Sequence, residues 1–125
     1  MPSSERSPRR NRVRTGRAFE QQAAQFYLDQ GYELLARNWQ ASHKEIDLIV
    51  RRDDLIVFVE VKAARTTSFG HPAEKLTRTK RNNLIEAAQR YLSEMDISGC
   101  DIRFDVVTFV NGRLEQFPSA FAAEE

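Results

Sequence analysis

The chain has 125 residues, 41% of them hydrophobic and 30% charged, with only 5 Gly and 4 Pro, a composition that places it among ordinary globular proteins with one core. Its longest purely apolar run, Leu55 to Val59, has five residues where about 20 are needed to cross a bilayer, which excludes membrane-spanning helices. The single cysteine, Cys100, excludes a disulfide framework and points to a reducing cytoplasm, and the N-terminal stretch has neither the apolar core of a secretory signal nor the apolar face of a transit peptide.

Residues 1 to 17 carry six arginines against Glu5, a net of +5, and the remainder carries 13 basic against 17 acidic residues, a net of −4. Residues 1–15 are therefore expected to be a disordered basic arm able to add phosphate contacts, ahead of a single domain over 16–118 and a short tail over 119–125. Arg17 to Gln30 places Phe19, Ala23, Phe26 and Tyr27 at helical spacing and ends at Gly31. Tyr32–Trp39, Glu45–Arg51 and Leu55–Ala63 read as strands, the last two forming a hairpin. A loop from Thr66 to His71 leads through Pro72 into a second helix carrying Leu76, Leu84, Ile85, Ala88, Leu92 and Met95. Ile102–Val110 and Arg113–Phe117, turning at Asn111-Gly112, close the chain as a hairpin. The order is αβββαββ, an α/β fold.

The hairpin between the second and third strands is the most informative stretch. With Asp53-Asp54 as the turn, facing residues have numbers summing to 107, so Asp47 faces Glu60 and Glu45 faces Lys62. One side then carries Ile46, Leu48, Val50, Val57, Val59 and Val61, and the other Glu45, Asp47, Ile49, Phe58, Glu60 and Lys62. Carboxylates directly opposed across a sheet repel. Two arrangements relieve them: a divalent cation such as Mg²⁺, which takes one or two carboxylates and completes its shell with water and phosphate, or an ion-pair cluster in which Lys62 serves Glu45 and Glu60.

The run Glu45-Ile-Asp47-Leu-Ile, followed after ten residues by Glu60-Val-Lys62, resembles the signature of the PD-(D/E)xK nucleases. Gly16-x-x-x-Glu20-x-x-Ala23, Gly31-Tyr32, Arg37-Asn38-Trp39, Phe58-Val-Glu-Val-Lys62, Phe69-Gly70, Lys80 and Arg103-Phe-Asp-Val106 extend the likeness to the bacterial YraN-like family, itself similar to archaeal Holliday-junction resolvases. The resemblance covers roughly residues 16 to 110. It implies a restriction-endonuclease-like mixed sheet with helices on both faces, and Mg²⁺- or Mn²⁺-dependent hydrolysis of phosphodiester bonds in DNA rather than RNA, with branched or structured DNA as a substrate class. It maps Asp47 and Glu60 onto the metal-binding acids, Lys62 onto the catalytic lysine and Glu20 onto an acid of the first helix that adds a ligand through water. A homodimer would suit cleavage of two strands. The family usually has glycine before the Glu-Ile-Asp run, where this chain has Lys44.

Other residues carry weaker signals. Lys80, Arg81 and Arg78 on the polar side of the second helix suit either phosphate contact or solvent, His43 and His71 are lone loop histidines, and Tyr32 and Trp39 suit packing better than base stacking. Arg103 and Asp105 share a strand face and suit mutual pairing, with a supporting role for Asp105 near the site left open. The rival to an enzyme is a non-catalytic nucleic-acid-binding or protein-interaction module that keeps the nuclease fold and whose acidic cluster is structural.

Overall fold

The structure, a computed structural model, describes the backbone of residues 8–64 and 76–123 and the side chains of 16–64 and 76–123. Seven elements follow one another as α1 (Pro8–Leu28), β1 (Glu33–Ala41), β2 (Lys44–Arg52), β3 (Leu55–Ala64), α2 (Arg78–Glu94), β4 (Asp101–Val110) and β5 (Arg113–Phe121). The strands form one sheet in the order β1-β2-β3-β4-β5. Neighbours joined by tight turns are antiparallel, while β3 and β4, between which the chain passes through α2, are parallel. The α/β class and the order αβββαββ are those expected.

Strands β2 and β3 are apolar on both sides because both faces of the sheet are covered. On one face Ala23, Ala24 and Tyr27 of α1 pack over Leu48, Val50, Val57, Val59, Val107 and Phe109. On the other, Leu84, Ile85, Ala87, Ala88 and Tyr91 of α2 pack over Ile46, Ile49, Ile56, Phe58, Phe104 and Phe121. Ile46 therefore lies in a different core from Leu48, although strict alternation groups the two. Its partner strand changes face at the same level: Arg37 donates to Gln21 of α1 at 2.7 Å, while the Trp39 ring meets Tyr91 of α2 edge-on at 5.3 Å. Asn38, between them, has φ 50°, a left-handed conformation that Asn tolerates and that interrupts the two-residue period.

Two element boundaries differ from the sequence expectation. Helix α1 starts at Pro8 rather than Arg17, so helical backbone enters the stretch expected as a disordered arm. Proline is well tolerated in the first helical turn and arginine is a good helix former, whereas apolar periodicity, the signal used, is weak there. Strand β5 continues beyond Phe117 to Phe121, into the expected tail. Pro118 does not end it, because β5 is an edge strand, where a missing N–H is tolerated, and Phe121 is buried and stacks on Phe104 at 4.9 Å. The Thr66–His71 loop, Pro72, residues 1–7 and residues 124–125 lie outside the described residues.

Candidate functional site

The β2–β3 ladder has the expected register, running from Arg52↔Leu55 to Leu48↔Val59. Past that last pair, the Asp47 carboxylate accepts the Val61 backbone N–H through Oδ2 at 2.8 Å. A side chain thus occupies the place of a ladder carbonyl, at the end of the β2–β3 pairing where Asp47 and Glu60 come next. Glu60 directly follows the buried run Ile56–Val59 and is itself only 7% exposed. Being inside is the cost of its position, since a carboxylate is far better solvated in water.

Both helices reach these two acids, and so do neighbours on their own strands. Thr77 caps α2, its hydroxyl accepting the Lys80 N–H at 3.1 Å, and this fixes the first turn so that Lys80 Nζ stands 3.5 Å from Glu60 Oε2. From α1, Glu20 adds its charge to the field at Asp47, and its Oε1 is buried without a hydrogen-bond partner among the described residues. From β3 itself, the Lys62 ammonium acts on Glu60. Glu45 contributes further negative charge at Asp47.

The electrostatics follow from this crowding. Burial, then repulsion from Glu60, and more weakly from Glu20 and Glu45, push the Asp47 carboxyl up to about 8, against the opposing pull of the Val61 N–H. Burial also raises Glu60, opposed by Lys80, Lys62 and a hydrogen bond with Asp47.

Of the residues singled out from the sequence, Glu60 and Glu20 act electrostatically on Asp47, and Lys62 acts on Glu60. Lys80, expected on a solvated or phosphate-binding helix face, is 43% exposed and is also the ion-pair partner of Glu60; the quoted motif contained it, but only the phase of the Thr77 cap decides where it points. Arg78 and Arg81 lie on the same turn of α2, exposed and half-buried respectively. Thr108, which nothing in the sequence singled out, is fully buried, lies beside Lys62 in the β3–β4 register, and its hydroxyl has no partner among the described residues. Lys44 pairs with Glu86 of α2 at 3.1 Å and is not among the residues with left-handed backbone, so glycine's freedom is not needed there. His43 is exposed in the β1–β2 turn and His71 lies outside the described residues.

Asp105 has a different role. Its carboxylate accepts from the Tyr27 hydroxyl at 2.7 Å, Arg103 Nε at 2.8 Å, an Arg103 terminal nitrogen at 2.9 Å, Gln116 at 3.1 Å and the Ser119 N–H at 3.1 Å. It closes the irregularity where β5 runs from Phe117 to Phe121 against only Phe104 to Val106 of β4, with Ser119 at φ 52°.

Among the described residues no three His, Cys, Asp or Glu side chains gather into a ready-made cage for a metal ion. A cage is not required for Mg²⁺, which usually keeps several waters and takes one or two carboxylates. Asp47 and Glu60, repelling one another in the interior beside the orphaned Glu20 oxygen, are a donor set of that kind.

Residues 19–109 match the family described as Uncharacterised protein family UPF0102. A UPF0102 protein of Chloroherpeton thalassium is 41% identical over 98 residues, covering 78% of this chain and 76% of that protein. One from Sulfurihydrogenibium is 33% identical over 114 residues, covering 91% of this chain and 99% of its own, and one from Nocardia farcinica is 46% identical over 89 residues, covering 71% and 70%.

Proposed function

The chain belongs to the UPF0102 family, and from the buried acid pair that its fold assembles we propose that it is a metal-dependent endonuclease hydrolysing phosphodiester bonds in DNA. The observation that carries this reading is the Asp47–Glu60 pair: two carboxylates held together inside the protein, one pushed up to about 8, with two lysines beside them and the Glu20 oxygen unpartnered. Stability alone disfavours such a set, whereas a cation-dependent reaction on a phosphodiester makes use of it.

Asp47 and Glu60 would hold Mg²⁺ or Mn²⁺, and Glu20 would reach the ion through water. The bound ion supplies Lewis acidity toward the phosphate and makes water a better nucleophile. Lys62, two residues from Glu60 on the same strand, orients the attacking water or neutralises charge developing on the phosphate. Asp47 is held in place by the Val61 N–H, so its carboxylate meets the ion without first having to order. Arg78 and Arg81 extend positive charge along the helix that supplies Lys80. Branched or otherwise structured DNA as substrate, a homodimer acting on two strands, and a cytoplasmic setting belong to the same proposal. Among the described residues no helix is long and apolar enough to cross a membrane.

The test is a cleavage screen over linear, flapped and four-way DNA and structured RNA with Mg²⁺ or Mn²⁺, comparing wild type with Lys62→Ala. Wild type is expected to cut DNA, and Lys62→Ala to bind it nearly as well while cutting about 100-fold more slowly, a typical loss for one charge-stabilising group. Absence of cleavage on every substrate contradicts the enzyme and favours a binding module; equal rates remove Lys62 from the mechanism.

A further inference from the structure

The ion pair between α2 and β3 does not follow from the roles assigned above. Lys80 Nζ lies 3.5 Å from Glu60 Oε2, and the two side chains differ sharply in exposure, 43% for the lysine and 8% for the glutamate. The lysine is therefore the partner nearer to solvent. Its backbone is fixed, because Thr77 accepts the Lys80 N–H through its hydroxyl and the Arg81 N–H through its carbonyl, at 3.1 and 2.9 Å. Its four-carbon stem is not, and a lysine ammonium is a point charge that reorients easily. Lys62 acts on Glu60 through its charge alone, whereas Lys80 adds a hydrogen-bonding contact.

We propose that Lys80 is the counter-ion that a divalent cation displaces from Glu60, and that the displaced ammonium then becomes a contact for a substrate phosphate. The inference rests on the metal-site reading above. A divalent cation on Glu60 and an ammonium 3.5 Å from the same oxygen are like charges competing for one carboxylate, so the lysine must leave as the ion arrives. Half-exposed and anchored only at its backbone, it leaves toward solvent, the direction from which a polyanion approaches. In the free protein the lysine offsets the glutamate; in the loaded protein the ion does, and the lysine is released to the phosphate that the reaction brings. A substrate backbone thereby gains a positive contact only when the site is charged with metal.

Titration calorimetry with Mn²⁺ on the full chain tests the first half, using wild type, Lys80→Met, Lys80→Arg and Lys62→Met. Lys80→Met is expected to bind Mn²⁺ about tenfold more tightly than wild type, equivalent to about 1.4 kcal/mol, with Lys80→Arg close to wild type and Lys62→Met gaining less. DNA binding in Ca²⁺ tests the second half: Lys80→Met should bind more weakly, and the slope of log affinity against log salt should shrink by about 0.9, the amount for one phosphate contact on duplex DNA. Equal Mn²⁺ affinity in wild type and Lys80→Met overturns the exchange, and a salt slope unchanged by Lys80→Met overturns the phosphate contact. A wild type that binds no Mn²⁺ overturns the metal site and this inference together, whereas Mn²⁺ binding without DNA cleavage removes only the nuclease reading.

Discussion

Asp105 and Asp47 are carboxylates built into the same sheet, and the fold treats them in opposite ways. Asp105, 1% exposed on β4, is surrounded by donors: a tyrosine hydroxyl, both ends of an arginine fork, a glutamine amide and a backbone N–H. Asp47 accepts one backbone N–H and faces three further acids, Glu60, Glu20 and Glu45. The first pattern satisfies a buried charge and joins α1, β4 and β5 into one unit. The second leaves negative charge in excess beside an orphaned glutamate oxygen. A polar cluster that completes its own bonding acts within the protein; one that does not calls for an explanation, and the proposed function supplies a cation.

The comparison is broken most directly at its satisfied end. Asp105→Ala strips the partner from Arg103 and Tyr27, and loss of one member of a buried, hydrogen-bonded pair is expected to lower stability by about 3–5 kcal/mol in urea unfolding. Asp47→Asn, nearly isosteric and still able to accept the Val61 N–H, is expected to leave metal-free stability nearly unchanged at neutral pH, where the Asp47 carboxyl keeps its proton, and to raise it at higher pH, where it removes repulsion. If Asp47→Asn cost as much as Asp105→Ala, the two clusters would be alike and both structural.

The pH dependence sharpens the same contrast. An Asp47 carboxyl raised from 3.8 to about 8 keeps a proton in the folded chain that the unfolded chain has already released. Between those values the native state binds more protons, so this group makes stability fall as pH rises, by at most about 1.4 kcal/mol per pH unit. Asp47→Asn should remove that fall in metal-free buffer, which melts at a series of pH values would show. A pH profile unchanged by the substitution would mean that Asp47 is not held protonated by its neighbours.

Tyr27→Phe gives the smallest effect. It deletes the 2.7 Å hydrogen bond to Asp105 but keeps the ring among Phe26 and Tyr32, and Asp105 retains its other donors. A loss of about 1 kcal/mol is expected, and a loss comparable to that of Asp105→Ala would show that the hydroxyl, not the arginine, dominates the cluster.

What the sequence showed in advance depended on the range of the interaction. The hairpin register of β2 and β3 was legible because the two-residue period and a short turn fix it locally, and it runs as far as Leu48↔Val59, the pair before Asp47 and Glu60. The change of face at Asn38 was not, because one residue with positive φ reverses the alternation without altering composition. Lys80 was legible as a basic helix residue, but its partner lies 20 positions earlier and depends on the cap of α2. The Asp105 cluster joins residues as far apart as Tyr27 and Asp105, and no local pattern announces a contact between α1 and β4. Of the four acids at the site, Glu20 was reached only through family resemblance, since a lone glutamate on a helix has no period or pairing to expose it.

The central claim is that Asp47 and Glu60 are kept together for a cation, and thermal melts of wild type and Asp47→Asn in EDTA and in saturating Mn²⁺ test it without any substrate. At a hundredfold excess over the dissociation constant, Mn²⁺ should stabilise wild type by about 2.7 kcal/mol and Asp47→Asn by much less. A wild type that melts at the same temperature in EDTA and in Mn²⁺ would contradict the account.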